Sequence, residues 1–285
     1  MTATPCEDGP GPLLPGRIAV ITGAGGGIGA ATARLFARHG AEVFVNDIDG
    51  ERAGSVAAEI GATGGSATPV VADVRRADDV ESLRRAVIDK AGRIDVLVNN
   101  VGDWIRPIGQ FTDEGPEWWD ELHQINFLHI MLVTRAFLPA MLSAGRGAIV
   151  NVSSIEGARG YPPDPVYAAY KAAAIHFTRS LAVQVGPHGV RVNGIGPDVT
   201  ESIQVPYSEW IPADQQGLWP HWVPVGRMGI PDDQARVVLF LASDLSGFVT
   251  GHTIPTDGGT GAAGGWYRRR TGRPGRAWTN RPVDP

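Results

Sequence analysis

A single α/β domain built on a doubly wound parallel sheet flanked by helices is predicted by three observations. Short apolar runs alternate with helical stretches along most of the 285 residues; a glycine-rich turn joins the first run to the first helical stretch; and no internal repeat or second domain interrupts the series. Strands separated by helices at this pitch pair in parallel through right-handed crossovers. Ligands of such sheets bind beyond the carboxyl ends of the strands. With 43% hydrophobic residues the chain can bury a full core, and α/β folds of this size often remain one domain.

Residues 1–15 are rich in Pro and Gly without periodicity and read as a disordered lead-in to a domain spanning 16–260. The apolar run 18–21 is the first strand, and after the glycine turn comes a helix over 30–39 that Gly40 ends. A strand at 42–47, a helix over 52–60, a strand at 68–72, a helix over 78–91 and a strand at 94–99 continue the alternation. Next are a long helix over 117–143, a strand at 148–152, a helix over 165–185, a strand at 190–195, a helix near 231–242 and a last strand near Thr253. The pattern breaks once, at 203–225, where Pro206, Pro212, Pro220 and Pro224 mix with Tyr207, Trp210, Trp219 and Trp222. Long segments of this kind inside compact domains are usually functional, and a substrate lid is expected.

Residues 261–285 form a basic, aromatic-containing tail with Arg268, Arg269, Arg270, Arg273, Arg276 and Arg281 against Asp284, so the body is more acidic than the overall net charge of −5. An acidic body repels phosphates, so neither nucleic acid nor a membrane is an expected partner, and the tail is expected in solvent or against a partner subunit. The single cysteine, Cys6, excludes a disulfide framework and a cysteine metal site; no metal is expected. No apolar run approaches ~18 residues, and the stretch around Glu7 and Asp8 lacks the apolar core of a signal peptide. A cytoplasmic location is expected.

The turn reads Thr22-Gly23-Ala24-Gly25-Gly26-Gly27-Ile28-Gly29. Its glycines let the backbone approach a pyrophosphate, and the helix start supplies N–H donors and a positive dipole end. Asp47, eighteen residues after Gly29 at the end of the second strand, lies where a ribose hydroxyl of a dinucleotide would be held. A carboxylate there repels a 2′-phosphate, and Gly26 and Ile48, where a cation could neutralise one, are uncharged. NAD is therefore expected in preference to NADP.

Only two lysines occur, Lys90 and Lys171, and Lys171 stands four residues after Tyr167 in a helical stretch. That spacing places both side chains on one helix face. An ammonium about 4 Å from a phenol is worth on the order of 4 kcal/mol at an effective dielectric near 20, enough to bring a tyrosine toward the pKa that suits a general acid/base.

Taken together, these motifs resemble the short-chain dehydrogenase/reductase superfamily, with a Rossmann-like sheet, over roughly residues 16–260. The glycine turn is similar to the family's Thr-Gly-x-x-x-Gly-x-Gly, Asp73-Val74 to its adenine-contacting strand end, and Asn99-Asn100-Val101-Gly102 to its Asn-Asn-Ala-Gly segment. Asn126 lies in the long helix where the family keeps an asparagine, and Asn151-Val152-Ser153-Ser154 resembles the strand end that bears the catalytic serine. The family spacing of thirteen residues from serine to tyrosine selects Ser154 with Tyr167.

The resemblance implies an oxidoreductase in which Tyr167 exchanges a proton with the substrate oxygen and Ser154 hydrogen-bonds that oxygen. It implies that Lys171 holds the nicotinamide ribose and lowers the phenol pKa, and that Asn126 seats a water leading protons to solvent. It places Gly23, Gly25, Gly26, Gly27, Ile28, Gly29, Asp47, Ile48, Asp73, Val74, Asn100, Val101 and Gly102 at the cofactor, with Tyr167, Lys171, Pro197, Asp198, Thr200 and Ser202. One departure stands out: Asp198 follows Pro197 where the family usually has glycine. The resemblance also implies a homodimer or homotetramer, its subunits meeting through the long helix and the tyrosine-bearing helix.

The variable parts are aromatic. Trp104, Tyr161 and Trp210, with Glu156 as a polar contact, suggest a secondary alcohol or ketone with a bulky apolar body of alicyclic, terpenoid, aryl or steroid type. Two alternatives are weighed: an NADPH-dependent 3-oxoacyl-type carbonyl reductase, which Asp47 opposes, and a non-catalytic dinucleotide sensor, which would not need the tyrosine and lysine.

Overall fold

The computed structural model describes residues 11–104, 111–203 and 205–265, together with two short strands at 267–268 and 278–279. The chain runs β1 (Ile18–Ile21), α1 (Gly27–Arg38), β2 (Glu42–Asp47), α2 (Gly50–Ala62), β3 (Ser66–Val71), α3 (Ala77–Ala91) and β4 (Val96–Asn99). It continues through α4 (Pro116–His123), α5 (His129–Ala144), β5 (Gly147–Val152), α6 (Pro165–Val185), β6 (Val190–Pro197), α7 (Tyr207–Trp210), α8 (Trp219–Trp222), α9 (Pro231–Ala242), β7 (Thr253–Thr256) and α10 (Thr260–Ala263). Strands β1 to β7 form one parallel sheet in the order β3-β2-β1-β4-β5-β6-β7. The order reverses between β1 and β4, which opens a crevice at their carboxyl ends, where ligands of such sheets bind.

Alternation along the strands builds two apolar layers, because successive side chains point to opposite faces. Ala19, Ile21, Val43, Val45, Val96 and Val98 pack against α1, α2 and α9. Ile18, Val20, Phe44, Leu97 and Ile149 face α3, α5 and α6, where Phe137 and Met141 are fully buried. Covered on both sides, the strands are nearly continuous apolar runs, as parallel strands should be.

The structure departs from the sequence reading at identifiable places. Residues 11–15, expected within a disordered lead-in, pack onto the domain: Leu14 is fully buried and its amide donates to the His39 carbonyl. Residues 1–10 lie outside the described residues. The helix expected over 117–143 is interrupted by one π-helical turn, Gln124–Leu128, between α4 and α5; such turns recur at functional sites. By length and composition the stretch Pro116–Ala144 could cross a bilayer, contrary to the reading of apolar runs; here its Leu122, Ile130, Val133, Phe137 and Met141 are buried in the domain. In the expected lid, α7 and α8 supply short helical turns; Gln204 lies outside the described residues. Of the tail, strands β8 (Tyr267–Arg268) and β9 (Trp278–Thr279) pair antiparallel, and β8 lies beside α8; Trp266 and the remaining tail residues lie outside the described residues.

At the opposite end of the sheet from the crevice, the buried Asp95 carboxylate accepts the Ile18 amide at 2.9 Å and faces Arg93 at 3.1 Å and Arg146 at 2.9 Å. The two guanidiniums are about half exposed and stay hydrated without the carboxylate, so Asp95→Ala mainly strands the buried Ile18 amide. It is expected to cost about 1–3 kcal/mol of stability, the cost of an unsatisfied buried donor, read from the urea midpoint at unchanged slope. A loss below ~1 kcal/mol, the size of an exposed pair, would place the carboxylate outside the core.

Candidate active site

The glycine turn leaves β1 and enters α1 at Gly27. Gly27 has φ +51°, which an L side chain rarely adopts. A Cβ on Gly29 would lie 2.3 Å from the Gly23 carbonyl oxygen, so this position admits no side chain. The N-cap of α1, Gly26, offers no side-chain acceptor, leaving the first amides of the helix for an outside anion. Ile203 and Ser202, from the start of the lid, lie against Gly26 and Gly27, while Ile48 is exposed beside the turn.

Asp47 is buried, and one of its oxygens accepts the Gly25 amide at 2.9 Å, which ties the end of β2 to the turn. Its other oxygen lies 3.6 Å from the Arg52 guanidinium on α2. The sequence reading considered only the neighbours Gly26 and Ile48; the fold supplies a cation from the next helix. Asp73 clamps Arg75 at 2.7 Å, which holds the Asp73 carboxyl below its ordinary range, and Val74 is buried. The Asn100 side chain donates to the Thr22 and Gly23 carbonyls at 3.0 and 3.1 Å, locking the segment after β4 to the glycine turn, with Val101 packed beside Gly23.

Tyr167 and Lys171 project from α6, whose start is fixed by Asp164: its carboxylate accepts the Tyr167 amide at 2.8 Å, and Pro165 occupies the first turn. The Lys171 ammonium lies 5.5 Å from the centre of the Tyr167 ring and packs against Gly102. Burial lowers Lys171 to about 8, opposed by the charge of Asp103. Burial likewise raises the Tyr167 phenol above its ordinary value, and the Ser154 hydroxyl hydrogen-bonds it and partly offsets that rise. The net direction is therefore upward, because burial dominates and the Ser154 hydrogen bond only partly opposes it. Ser154 is itself held by the Glu156 amide at 3.1 Å and donates to the Pro197 carbonyl at 3.4 Å.

Asn126 sits in the π turn. Its side chain accepts the Asp103 amide at 3.2 Å and donates to the Asp103 carbonyl at 2.6 Å and the Leu122 carbonyl at 3.1 Å. In this geometry it fixes the Gly102–Asp103 backbone against Lys171. Beneath, a buried network missed by the sequence reading ties the strand ends together: Asn99 donates to Asn151 at 2.9 Å, and Asn151 to Thr178 on α6 at 2.9 Å.

After β6, Asp198 replaces the expected glycine, and the bend falls on Val199, whose φ of +31° is the one positive value at a non-glycine among the described residues. A β-branched residue there is strained. The strain is held by hydrogen bonds: the Val199 amide donates to Asp198 Oδ1 at 2.8 Å, and Thr200 donates to the Asp198 carbonyl at 2.7 Å and accepts from Gln234 at 2.9 Å. Ser202 caps the next turn by accepting the Val205 amide at 3.0 Å.

Aromatic rings pack around the phenol ring. Trp104 meets the Tyr167 ring edge-on at 6.3 Å and stacks on Trp210 of the lid at 6.1 Å, while Tyr161 lies 6.1 Å from Tyr167. Tyr207 extends the row from Trp210 to Trp219. The expected substrate residues Trp104, Tyr161 and Trp210 therefore converge on Tyr167. Glu156 does not stand free as a polar contact: it grips Arg159 through two oxygens, at 2.7 and 3.1 Å. Arg159 and Tyr207 were not singled out by the sequence reading as site residues; Arg159 is the one basic residue between Ser154 and Tyr167, which was the available signal.

Behind Lys171, His129 is fully buried, and burial together with the Lys171 charge lowers it to about 3. The fold therefore holds it neutral, whereas an unfolded imidazole titrates near ~6.5. Its contribution is intact above that value and is lost as pH falls toward about 3, at about 1.4 kcal/mol per unit. Urea unfolding of the chain and of His129→Asn between pH 7 and pH 4 should show the variant losing less stability on acidification; equal slopes would contradict the burial argument.

Comparison with known proteins agrees with this geometry. A family model described as enoyl-(acyl carrier protein) reductase matches residues 23–261. The chain is 39% identical to a 3-oxoacyl-(acyl-carrier-protein) reductase of Thermotoga maritima, over 86% of this chain and 98% of that protein. It is 38% identical to cis-4-hydroxycyclohexanecarboxylate dehydrogenase of Sinomonas cyclohexanicum, over 85% and 96%. A solved 7α-hydroxysteroid dehydrogenase, complexed with NADH and 7-oxo glycochenodeoxycholic acid, superposes with a TM-score of 0.80 at 33% identity, covering 86% of this chain and 94% of that one. With the glycine turn, the seven-stranded sheet and the Ser154, Tyr167 and Lys171 cluster in place, the chain belongs to the short-chain dehydrogenase/reductase superfamily.

Proposed function

We propose that the protein is an NAD-dependent dehydrogenase that oxidises a secondary alcohol with a bulky apolar, ring-containing body and, in reverse, reduces the ketone. The observation that carries the reading is the packing of Trp104 and Tyr161 against the Tyr167 ring, with Trp210 of the lid stacked on Trp104. Flat apolar surfaces of this kind hold ring substrates by burial, with few polar groups fixing orientation. Two of the similar proteins bear names of enzymes acting on a hydroxycyclohexanecarboxylate and a hydroxysteroid, which supports the ring-alcohol part of the reading but not the neutrality of the substrate's far end.

The described residues fit a nicotinamide dinucleotide. The glycine turn folds so tightly that Gly29 has no room for a side chain against the Gly23 carbonyl, the α1 amides are uncapped, and Asp47 ties the end of β2 to the turn. Gly23 to Gly29 would hold the pyrophosphate, Asp47 the adenosine ribose, Val74 the adenine, and Lys171 the nicotinamide ribose. When bound, the nicotinamide supplies the hydride acceptor or donor. Tyr167 takes the hydroxyl proton of the alcohol during oxidation and returns one to the ketone oxygen in reduction. Ser154 is held by the Glu156 amide, and with substrate bound its one hydroxyl proton, which meets the Pro197 carbonyl only at 3.4 Å, turns to the same oxygen. Lys171 keeps a positive charge beside the phenol as its proton leaves.

Asp47 supports NAD, since a carboxylate repels a 2′-phosphate. One observation favours an NADPH-dependent 3-oxoacyl-type reductase: Arg52, 3.6 Å from Asp47, could turn to such a phosphate. Absorbance at 340 nm with cyclic and aryl secondary alcohols, using NAD and NADP in parallel, decides between them. The proposal expects turnover with NAD at least ~10-fold more efficient than with NADP, a difference of about 1.4 kcal/mol. Preference for NADPH with a 3-oxoacyl thioester would establish the second reading. Leu142 on α5 and Val183 on α6 are exposed apolar groups on the two helices proposed to pair subunits into a dimer or tetramer.

A further inference from the structure

An ion triad lies beside Ser154, whose hydroxyl meets the Glu156 amide and the carbonyl of Pro197 next to Asp198. Arg159 donates to Glu156 at 2.7 and 3.1 Å and to Asp198 at 2.9 Å, bridging the segment after β5 to the segment after β6 on either side of Ser154. Thr260 donates to the same Asp198 oxygen. Glu156 and Asp198 are largely buried, with side chains 12% and 11% exposed, whereas Arg159 is 37% exposed.

One guanidinium is thus shared by two carboxylates, and the triad carries a net charge of −1. The same carboxylates act on the cleft: Glu156 is among the groups that raise the Tyr167 phenol, and Asp198 and Glu156 are among those that raise Tyr207. An arginine in a substrate cleft ordinarily captures a carboxylate through paired hydrogen bonds. Here two protein carboxylates already occupy it. A third carboxylate would meet net repulsion, among aromatic rings that keep the effective dielectric below that of water.

We infer that the Glu156–Arg159–Asp198 triad is a specificity device that makes the cleft select uncharged substrates and reject anionic ones such as ring carboxylates. The triad also straps the Pro197–Val199 bend to the serine segment, so the charge filter and the shape of the site are built from the same contacts. The inference rests on the proposed apolar-alcohol site and sharpens it: the body of the substrate is apolar and its far end carries no carboxylate.

The test uses tryptophan fluorescence of the full chain, since Trp104 and Trp210 line the cleft, with cyclohexanecarboxylate and its methyl ester as matched probes at pH 8. The native protein is expected to bind the ester ~10-fold or more tightly than the carboxylate, a modest effect for one net charge at an effective dielectric near 20. Glu156→Gln, nearly identical in shape, frees half of the Arg159 fork and should narrow that ratio at least several-fold by strengthening carboxylate binding. Asp198→Asn, which keeps an acceptor for the Val199 amide, should act in the same direction. Equal or tighter binding of the carboxylate by the native protein would overturn the inference, as would an unchanged ratio in both variants. Turnover is measured separately with 4-hydroxycyclohexanecarboxylate and its methyl ester. Absence of turnover with the ester as well as the carboxylate contradicts the proposed reaction, while the binding ratio still decides the role of the triad.

Discussion

Tyr167→Phe is expected to lower kcat for alcohol oxidation by about 10²–10⁴-fold, the usual contribution of a positioned general acid/base, while leaving the fold and dinucleotide affinity nearly unchanged. The substitution deletes one oxygen. The ring that remains keeps its contacts with Trp104 and Tyr161, and the α6 cap at Asp164 uses the backbone amide of residue 167, which phenylalanine retains. Steady-state rates at 340 nm and NAD titration by tryptophan fluorescence separate the two effects. A fall in rate without a change in NAD affinity is the signature of a group that acts on the reacting oxygen.

The second large effect concerns Lys171. The residue is 3% exposed, and its ammonium lies against Gly102 and 5.5 Å from the Tyr167 ring centre. A Cβ added at Gly102 would come within 2.6 Å of Nζ, so the slot is already full. The larger planar head of arginine does not fit it. Lys171→Arg is expected to reduce kcat/KM by about 100-fold, the scale of an ångström-level misplacement in a catalytic site.

The pH profile reports the same pair. Tyr167 is raised and Lys171 is lowered to about 8, so the first proton leaves the coupled pair near pH 8. Alcohol oxidation requires the pair with that proton removed, and its kcat/KM should rise with pH through about 8. Ketone reduction requires the proton in place and should fall over the same interval. In Lys171→Arg, whose guanidinium does not deprotonate, the inflection should move upward by a unit or more, toward the phenol's own value. An inflection that stays in place would assign the titration to another group.

The meeting of Ser154, Tyr167 and Lys171 and the parallel sheet were legible because they depend on local rules. A strand–glycine–helix join, an i,i+4 pair on one helix face and alternating apolar residues can each be read without knowing what packs above them. Helix limits such as 165–185 and 231–242 match α6 and α9 for the same reason: Pro at the first turn marks their starts. What was not legible depends on distant segments meeting. Arg52 approaches Asp47 only because α2 folds back over β2. Arg159 is tied to Asp198 across 39 residues of sequence, and its role as a neutralised rather than free cation cannot be read from either segment alone. The upward shift of Tyr167 was not legible because it comes from burying the phenolate, a cost set by the packed fold and not by the spacing to Lys171. The π turn at Asn126 was read as plain helix because its residues have ordinary helical periodicity, and the extra residue shows only when the Asn126 side chain closes on Asp103.

The central claim is that hydride leaves the carbinol carbon of a neutral ring alcohol for NAD while Tyr167 takes the hydroxyl proton. Its most direct test is single turnover of a ring alcohol deuterated at the carbinol carbon, with native protein and Tyr167→Phe, followed at 340 nm and by the isotope content of the reduced nicotinamide. Native protein should give reduced NAD with one deuterium at C4 and a slowed rate, and the variant almost none. Reduced NAD without deuterium, or an equal rate from the variant, would contradict the account.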